Sequence, residues 1–255
     1  MFLRADSGKK ALLTVATATA LAACQQGAQP TASAEPREQL GLLTSLPIYW
    51  AETAELGEVL AGEEPEHWVR TDLERQYTLV PVDYLGEADG QPQEELEKLR
   101  LLFVAQPRAL TPADNVALDR WVRDGGRLLL VLDPLVTEHS TFAFGDKRRF
   151  NDVALVPPVL ARWGLAMRVA ETAGKERTSY RGATVPVDQH GVLSTAVAGG
   201  AENSTACTIE AEGLVAQCRI GRGTAMVVAD AAFLDHELQA DEQAGAGVIT
   251  GAAFR

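Results

Sequence analysis

Two apolar runs joined by one well-marked helix constrain the fold more than any other part of this chain. Leu101-Leu-Phe-Val-Ala105 and Arg127-Leu-Leu-Leu-Val-Leu132 carry no polar alternation. Strands of that kind are buried on both faces, as in a parallel sheet. Between them Thr111 stands as an N-cap, Pro112 takes the first helical position and Asp114 completes a capping-box pattern. Ala117, Leu118, Trp121 and Val122 then form one apolar stripe, and Gly125-Gly126 ends the helix. Strand, helix and strand in this order make a βαβ unit with a right-handed crossover. A parallel pair needs helices on its faces, so the chain belongs to the α/β class.

The remaining signals extend that unit. Gly41 to Leu46 reads as a strand stopped by Pro47, and the stretch from Glu52 to Gln76 has near-helical apolar spacing at Leu56, Val59, Leu60, Trp68, Val69 and Leu73. Tyr77–Val82 is a strand and Glu94–Leu99 a short helix. Val159–Trp163 is a further helix, stopped by Gly164 before a strand at Leu165–Val169, and Thr224–Ala229 is another apolar strand. Cys207 to Cys218 reads as two strands about a Glu212-Gly213 turn, which places the two cysteines opposite each other. In an exported protein such a pair forms a disulfide, a local staple of roughly 2–3 kcal/mol. The order predicts a doubly wound, mostly parallel sheet with an antiparallel hairpin elaboration.

Compartment is read from the first residues. Arg4, Lys9 and Lys10 precede an apolar run from Ala11 to Ala20 that is too short to span a bilayer, the pattern of an export signal. The following Leu21-Ala22-Ala23-Cys24 resembles a bacterial lipobox. That resemblance implies cleavage after residue 23, lipidation of Cys24 and attachment to the cell envelope facing the periplasm. One acyl chain binds a membrane only marginally, and the several chains such signals receive would give a stable anchor. Gln25, in place of Asp, points to the outer membrane if the cell is Gram-negative. Residues 24–39 read as a flexible tether, 40–240 as the α/β domain and 241–255 as a Gly/Ala-rich tail. The whole chain carries −12; residues 1–23 contribute +2 of that, leaving −14 on the remaining 232 residues. So acidic a chain is a poor partner for nucleic acid.

A family resemblance rests on longer patterns. Leu101 to Pro107, Thr111-Pro112, Leu118-Asp119, Trp121-Val122 and Gly125-Gly-Arg-Leu-Leu-Leu-Val-Leu-Asp-Pro134 resemble the auxiliary domain of uncharacterised ABC-type transport systems, a family that includes gliding-motility auxiliary proteins. Leu160-Ala-Arg-Trp-Gly164 and the Gly221-Arg-Gly-Thr to Phe233-Leu234 segment match it further. The resemblance implies a class I glutamine amidotransferase-like fold and association with a transporter permease and ATPase. Many relatives are membrane-anchored by helices, and they usually continue into an apolar helix where this chain ends.

Signals for chemistry are sparse. The amidotransferase nucleophile is a Cys on a strand-to-helix turn, but the three cysteines here read as a lipid site and a disulfide. No Gly-x-Ser-x-Gly elbow occurs, and His67, His139, His190 and His236 fall in no zinc-binding spacing. Neither Gly221-x-Gly223 nor Gly245-x-Gly247 has the context of a dinucleotide fingerprint. No catalytic residue, cofactor or metal site is therefore assigned. Ligands of open α/β sheets bind beyond the carboxyl ends of the strands. There the sequence places Ser45, Tyr49, Trp50, Gln106, Arg108, Asp133, His139 and Asp230, a rim suited to a small polar ligand or a peptide. Asp133, His139 and Asp230 would be the acid, base or metal ligands of a hydrolase, the alternative reading. Turn or helix capping accounts better for Asp133 before Pro134 and for Asp230. Tyr49 and Trp50 are either recognition aromatics or side chains packed beneath the Trp68 helix. The long loop from Asp133 to Asp152 contains Phe142, Phe144, Phe150 and the basic triplet Lys147-Arg148-Arg149. The function expected is that of a lipid-anchored, non-catalytic binding or scaffold accessory of an ABC-type transport system.

Overall fold

A computed structural model describes residues 36–52, 66–171, 174–196 and 205–255. Export signal, lipobox Cys24 and most of the tether lie outside them, as do Leu56, Val59 and Leu60.

The apolar runs become adjacent central strands. β1 (Gln39–Thr44), β2 (Thr78–Pro81), β3 (Leu101–Ala105) and β4 (Arg127–Val131) are parallel in the order β2-β1-β3-β4. α1 (Trp68–Gln76) precedes β2, α2 (Glu94–Lys98) precedes β3, and α3 (Pro112–Arg123) joins β3 to β4. The second half contributes α4 (Val159–Arg162), β5 (Leu165–Val169), β6 (Lys175–Tyr180), β7 (Ala183–Asp188), β8 (Gly191–Thr195) and β9 (Thr205–Glu210). β10 (Val215–Ile220), β11 (Gly223–Val228) and α5 (Ala244–Phe254) complete the elements. β11 continues the parallel sheet beside β4, and β10 and β9 extend it antiparallel to seven strands. β5–β8 and β6–β7 are separate two-stranded antiparallel ribbons.

Strand alternation sorts the core into two layers. Leu101, Phe103 and Ala105 of β3 face α1 and α5, whereas Leu102 and Val104 face the layer of α2, α3 and α4. The expected doubly wound, mostly parallel α/β fold with an antiparallel elaboration is thus present. Element ends shift slightly. β1 runs from Gln39 to Thr44 and not to Leu46, because Leu46 has already turned into the loop; the described helix before β2 starts at Trp68.

The α3 signals act as read. Thr111 accepts from the Asp114 N–H at 3.1 Å, and Asp114 returns a bond to the Thr111 N–H at 2.9 Å. Asp114 also takes the Leu85 and Gly86 N–H groups, tying the helix start to the preceding loop. At the other end Gly126 lies under Trp121, where a Cβ would sit 2.4 Å from the indole. Cys207 and Cys218 are directly paired across β9 and β10 and form a disulfide. Their connection is a one-turn 3₁₀ segment, Ala211–Gly213, with all three residues at positive φ.

Residues 244–254 of the Gly/Ala-rich segment form a core helix. Ile249, Ala253 and Phe254 of α5 are buried, and Arg127 of β4 donates to the Phe254 carbonyl at 2.7 Å. Gly245 brings the helix onto β7, since a Cβ there would lie 2.7 Å from the Thr184 carbonyl oxygen.

Candidate functional site

The carboxyl ends of β1, β3, β4 and β11 converge on one edge, and the long loop after β4 folds over it. The backbone brings the two stems of this loop together: Val136 N–H donates to the Asp152 carbonyl and Ala154 N–H to that of Asp133, both at 2.8 Å.

Most rim residues serve as the joinery beneath that loop. Ser45 Oγ donates to the Gln106 carbonyl at 2.5 Å and accepts from Asn151 N–H at 3.0 Å. Gln106, fully buried at a left-handed φ of 43°, donates from Nε2 to the Asp133 and Asn151 carbonyls and accepts from Asp133 N–H through Oε1. Arg108 reaches the Lys147 and Arg149 carbonyls. The switch point between β1 and β3, where a doubly wound sheet opens a ligand crevice, is therefore filled by Asn151 and its partners.

Asp133 and Asp230 are buried caps. Asp133 accepts from Leu135 N–H at 2.8 Å and Ala231 N–H at 3.0 Å; Asp230 accepts from Ala232 at 2.6 Å and Asp188 at 3.0 Å. Burial, opposed by the two N–H bonds and aided by the Asp188 charge, raises the Asp133 pKa to about 6. Burial and then the neighbouring Asp133 charge push Asp230 well above its ordinary value. His139 is exposed, and no hydrogen bond or ion pair joins it to either carboxylate among the described residues.

The aromatic pair divides between its two readings. Tyr49 packs against the core under the Arg70 guanidinium, 4.5 Å from its ring centroid, while Trp50 is 69% exposed. Glu52, just beyond, accepts from Ser140 and Thr141 and so holds the Trp50 segment against the post-β4 loop. The basic triplet is used inside that loop: Arg148 pairs with Asp146, and Arg149 pairs with Asp152 while covering the Phe144 and Phe150 rings. Phe144 remains 84% exposed, and Leu135, Val153, Leu155 and Val156 also face solvent. Leu135 and Val153 lie on the two opposed loop stems, so they form one surface.

Sequence spacing gave no sign of a second cluster at this edge. Glu138 Oε1 stands 2.8 Å from His236 Nδ1, and Asp235 Oδ1 is 3.7 Å from the same nitrogen. Burial, partly offset by the His236 bond, raises Glu138 to about 7. His67 lies beside them, its ring centroid 6.4 Å from that of His236. Burial, reinforced by His236, lowers the His67 pKa to about 4 and keeps the imidazole neutral. Glu138 and His236 are 98 positions apart, beyond the reach of any local motif.

Residues 37–191 match the family described as an ABC-type uncharacterized transport system. No curated protein sequence matches the chain. Among solved structures, a GH42 β-galactosidase from G. stearothermophilus is 15% identical, with a TM-score of 0.47, over 86% of this chain and 30% of its own. An exo-β-1,4-mannosidase from Opitutaceae bacterium strain TAV5 is 14% identical, with a TM-score of 0.49, over 86% of this chain and 36% of its own. This chain thus spans about a third of each glycosidase. A cytoplasmic protein from Salmonella typhimurium is 10% identical, with a TM-score of 0.42, over 84% of this chain and 98% of its own.

Proposed function

This chain belongs to the ABC-type uncharacterized transport system family, and on that premise we propose that it is a lipid-anchored envelope accessory that docks onto the transporter through its carboxyl-edge loop. The observation that carries this reading is the outward apolar surface of Leu135, Phe144, Val153, Leu155 and Val156. Exposed apolar side chains gathered on one loop are the kind of surface that protein–protein contacts use. Beneath it the loop is held by Gln106, Asn151, Arg149 and the Asp133 cap, a rigid support for a recognition surface. An exported chain meets the membrane-spanning permease directly and the ATPase only through it, so the permease is the contacting partner. The role is one of binding and not of catalysis. Both oxygens of Asp133 and of Asp230 already cap backbone N–H groups, which argues against the hydrolase alternative.

The test is affinity capture of the full chain from detergent-solubilised native membranes, with Phe144→Ser/Leu155→Ser as the comparison. Recovery of a permease and its ATPase with the parent chain, and loss of both with the folded variant, is the expected result. Capture of the chain alone, from membranes whose known complexes survive, overturns the proposal.

A further inference from the structure

We propose that Glu138, Asp235, His236 and His67 form a tetrahedral site for one divalent transition-metal ion such as Zn²⁺. The four donors come from three chain segments that the fold brings together: the loop after β4, the turn after β11 and the residue before α1. One ligand atom each from Glu138, Asp235 and His236 lie within 4.8 Å of one another. Around a tetrahedral ion with bonds of about 2.0–2.1 Å, neighbouring donors stand about 3.3 Å apart. The observed 2.8 Å from His236 Nδ1 to Glu138 and 3.7 Å to Asp235 bracket that spacing.

His67, which stands outside the group whose donor atoms lie within 4.8 Å of one another, is the candidate for the fourth donor. His67 is 7% exposed; its Nδ1 accepts from Val69 N–H, and its buried Nε2 has no hydrogen-bond partner. Trp68, the next residue, donates from its indole to the Asp235 carbonyl at 2.8 Å, so the His67 turn is fastened to the segment that bears Asp235 and His236. The 6.4 Å between the two imidazole centroids exceeds by roughly an ångström what two rings adopt across one tetrahedral ion. In the structure His67 therefore stands beyond ligating distance of the other three, and an ion at the site would have to draw it in.

The chemistry of the donors agrees. Two carboxylates and two imidazoles suit a borderline ion such as Zn²⁺ better than Ca²⁺ or Mg²⁺, which take oxygen ligands throughout. Glu138 is nearly buried against a histidine, where a dication would compensate for its lost hydration. Outer bonds already orient the ligands: Asp235 Oδ1 accepts from Glu237 N–H at 2.9 Å. His236 is 45% exposed in its side chain, and Asp235 borders an open cleft of about 520 Å³, so an entry path exists.

The test uses the untagged full chain in detergent, stripped with a chelator and titrated with Co²⁺ by visible absorption and with Zn²⁺ by calorimetry. One equivalent should bind, and Co²⁺ should give the intense visible band of a tetrahedral centre. His236→Gln and Glu138→Gln should each weaken binding about tenfold or more, while His67→Gln should also collapse the band. The exposed variant Asp241→Asn, outside the donor group, should bind as the parent does. Circular dichroism checks that each variant is folded, and the two ligand variants stand in for one another should either fail. No band, or affinity unchanged in the folded ligand variants, overturns the site. An equal loss in Asp241→Asn would place the ion on the surface and overturn it as well.

Discussion

Asp133, Asp188 and Asp230 place three carboxylates around the ends of β4, β7 and β11, and their mutual repulsion is a cost that titration can expose. A carboxyl whose folded pKa is raised holds its proton more tightly in the folded than in the unfolded chain. For Asp133 that window runs from the ordinary 3.8 to about 6. Stability attributable to this group falls as pH rises through the window, and the full penalty applies above it. Asp188→Asn removes a like charge that acts on both neighbours. It should stabilise the fold at about pH 7.5, by up to about 1 kcal/mol, and flatten the fall in melting temperature between about pH 4 and 6. Scanning calorimetry across that range is the check; an unchanged slope would mean that the Asp188 charge does not reach Asp133. At this scale the sequence was half legible. Capping by Asp133 and Asp230 could be read because a cap answers to its adjacent residues. The approach of His67 and Glu138 to His236 could not, since it depends on where three separate loops end.

Helix α3 shows what local signals can specify and α5 what they cannot. Every determinant of α3 lies within a few residues of its ends, so Thr111, Asp114, Trp121 and Gly126 carry the same meaning in the sequence and in the fold. Asp114→Ala should cost about 2 kcal/mol, because it removes the reciprocal cap and leaves the Leu85 and Gly86 N–H groups without their acceptor. Urea denaturation measures the loss. Burial works to raise the Asp114 pKa, but bonds from Thr111, Leu85 and Gly86 outweigh it and leave the folded value below the ordinary 3.8. Its contribution is therefore present above about pH 4 and disappears as pH falls through the lowered value, where Asp114→Ala and parent should converge. Helix α5 has small residues nearly all round and no apolar stripe. It becomes a core element because Gly245 allows close approach to β7 and because Phe254 meets Tyr77 edge-on at 5.9 Å. Both are tertiary facts. The Cys207–Cys218 pair lies between these cases: the turn position set the register, and the register set the bond. Cys207→Ser/Cys218→Ser should lower stability by about 2–3 kcal/mol without shifting the far end of the sheet. Thermal unfolding with and without a reductant reads this, and reductant should destabilise only the parent.

For the whole molecule, the direction of β1 gives the proposed anchor a geometric meaning. The chain enters the sheet at Gln39, the amino end of a parallel strand, whereas the apolar loop surface lies at the carboxyl edge of the same sheet. If Cys24 carries the lipid, residues 24–38 bound the distance from membrane to fold at about 50 Å when fully extended. Such a lipid would then be tethered to the amino edge of β1, opposite the edge that bears the proposed docking surface. The lipid would act by concentration where anchor and permease share one membrane, since tethering raises the effective concentration without adding a contact and a weak patch then suffices. Two measurements separate anchor from patch. Labelled palmitate should enter the parent chain and not Cys24→Ser. Replacing residues 1–24 by a cleavable export signal without the cysteine should release a folded, soluble chain whose capture of the permease falls about tenfold or more. Phe144→Ser/Leu155→Ser should instead stay in the membrane fraction and lose capture there. If the unanchored chain captures the permease as well as the parent does, the patch alone supplies the affinity, and the lipid sets only where the protein resides.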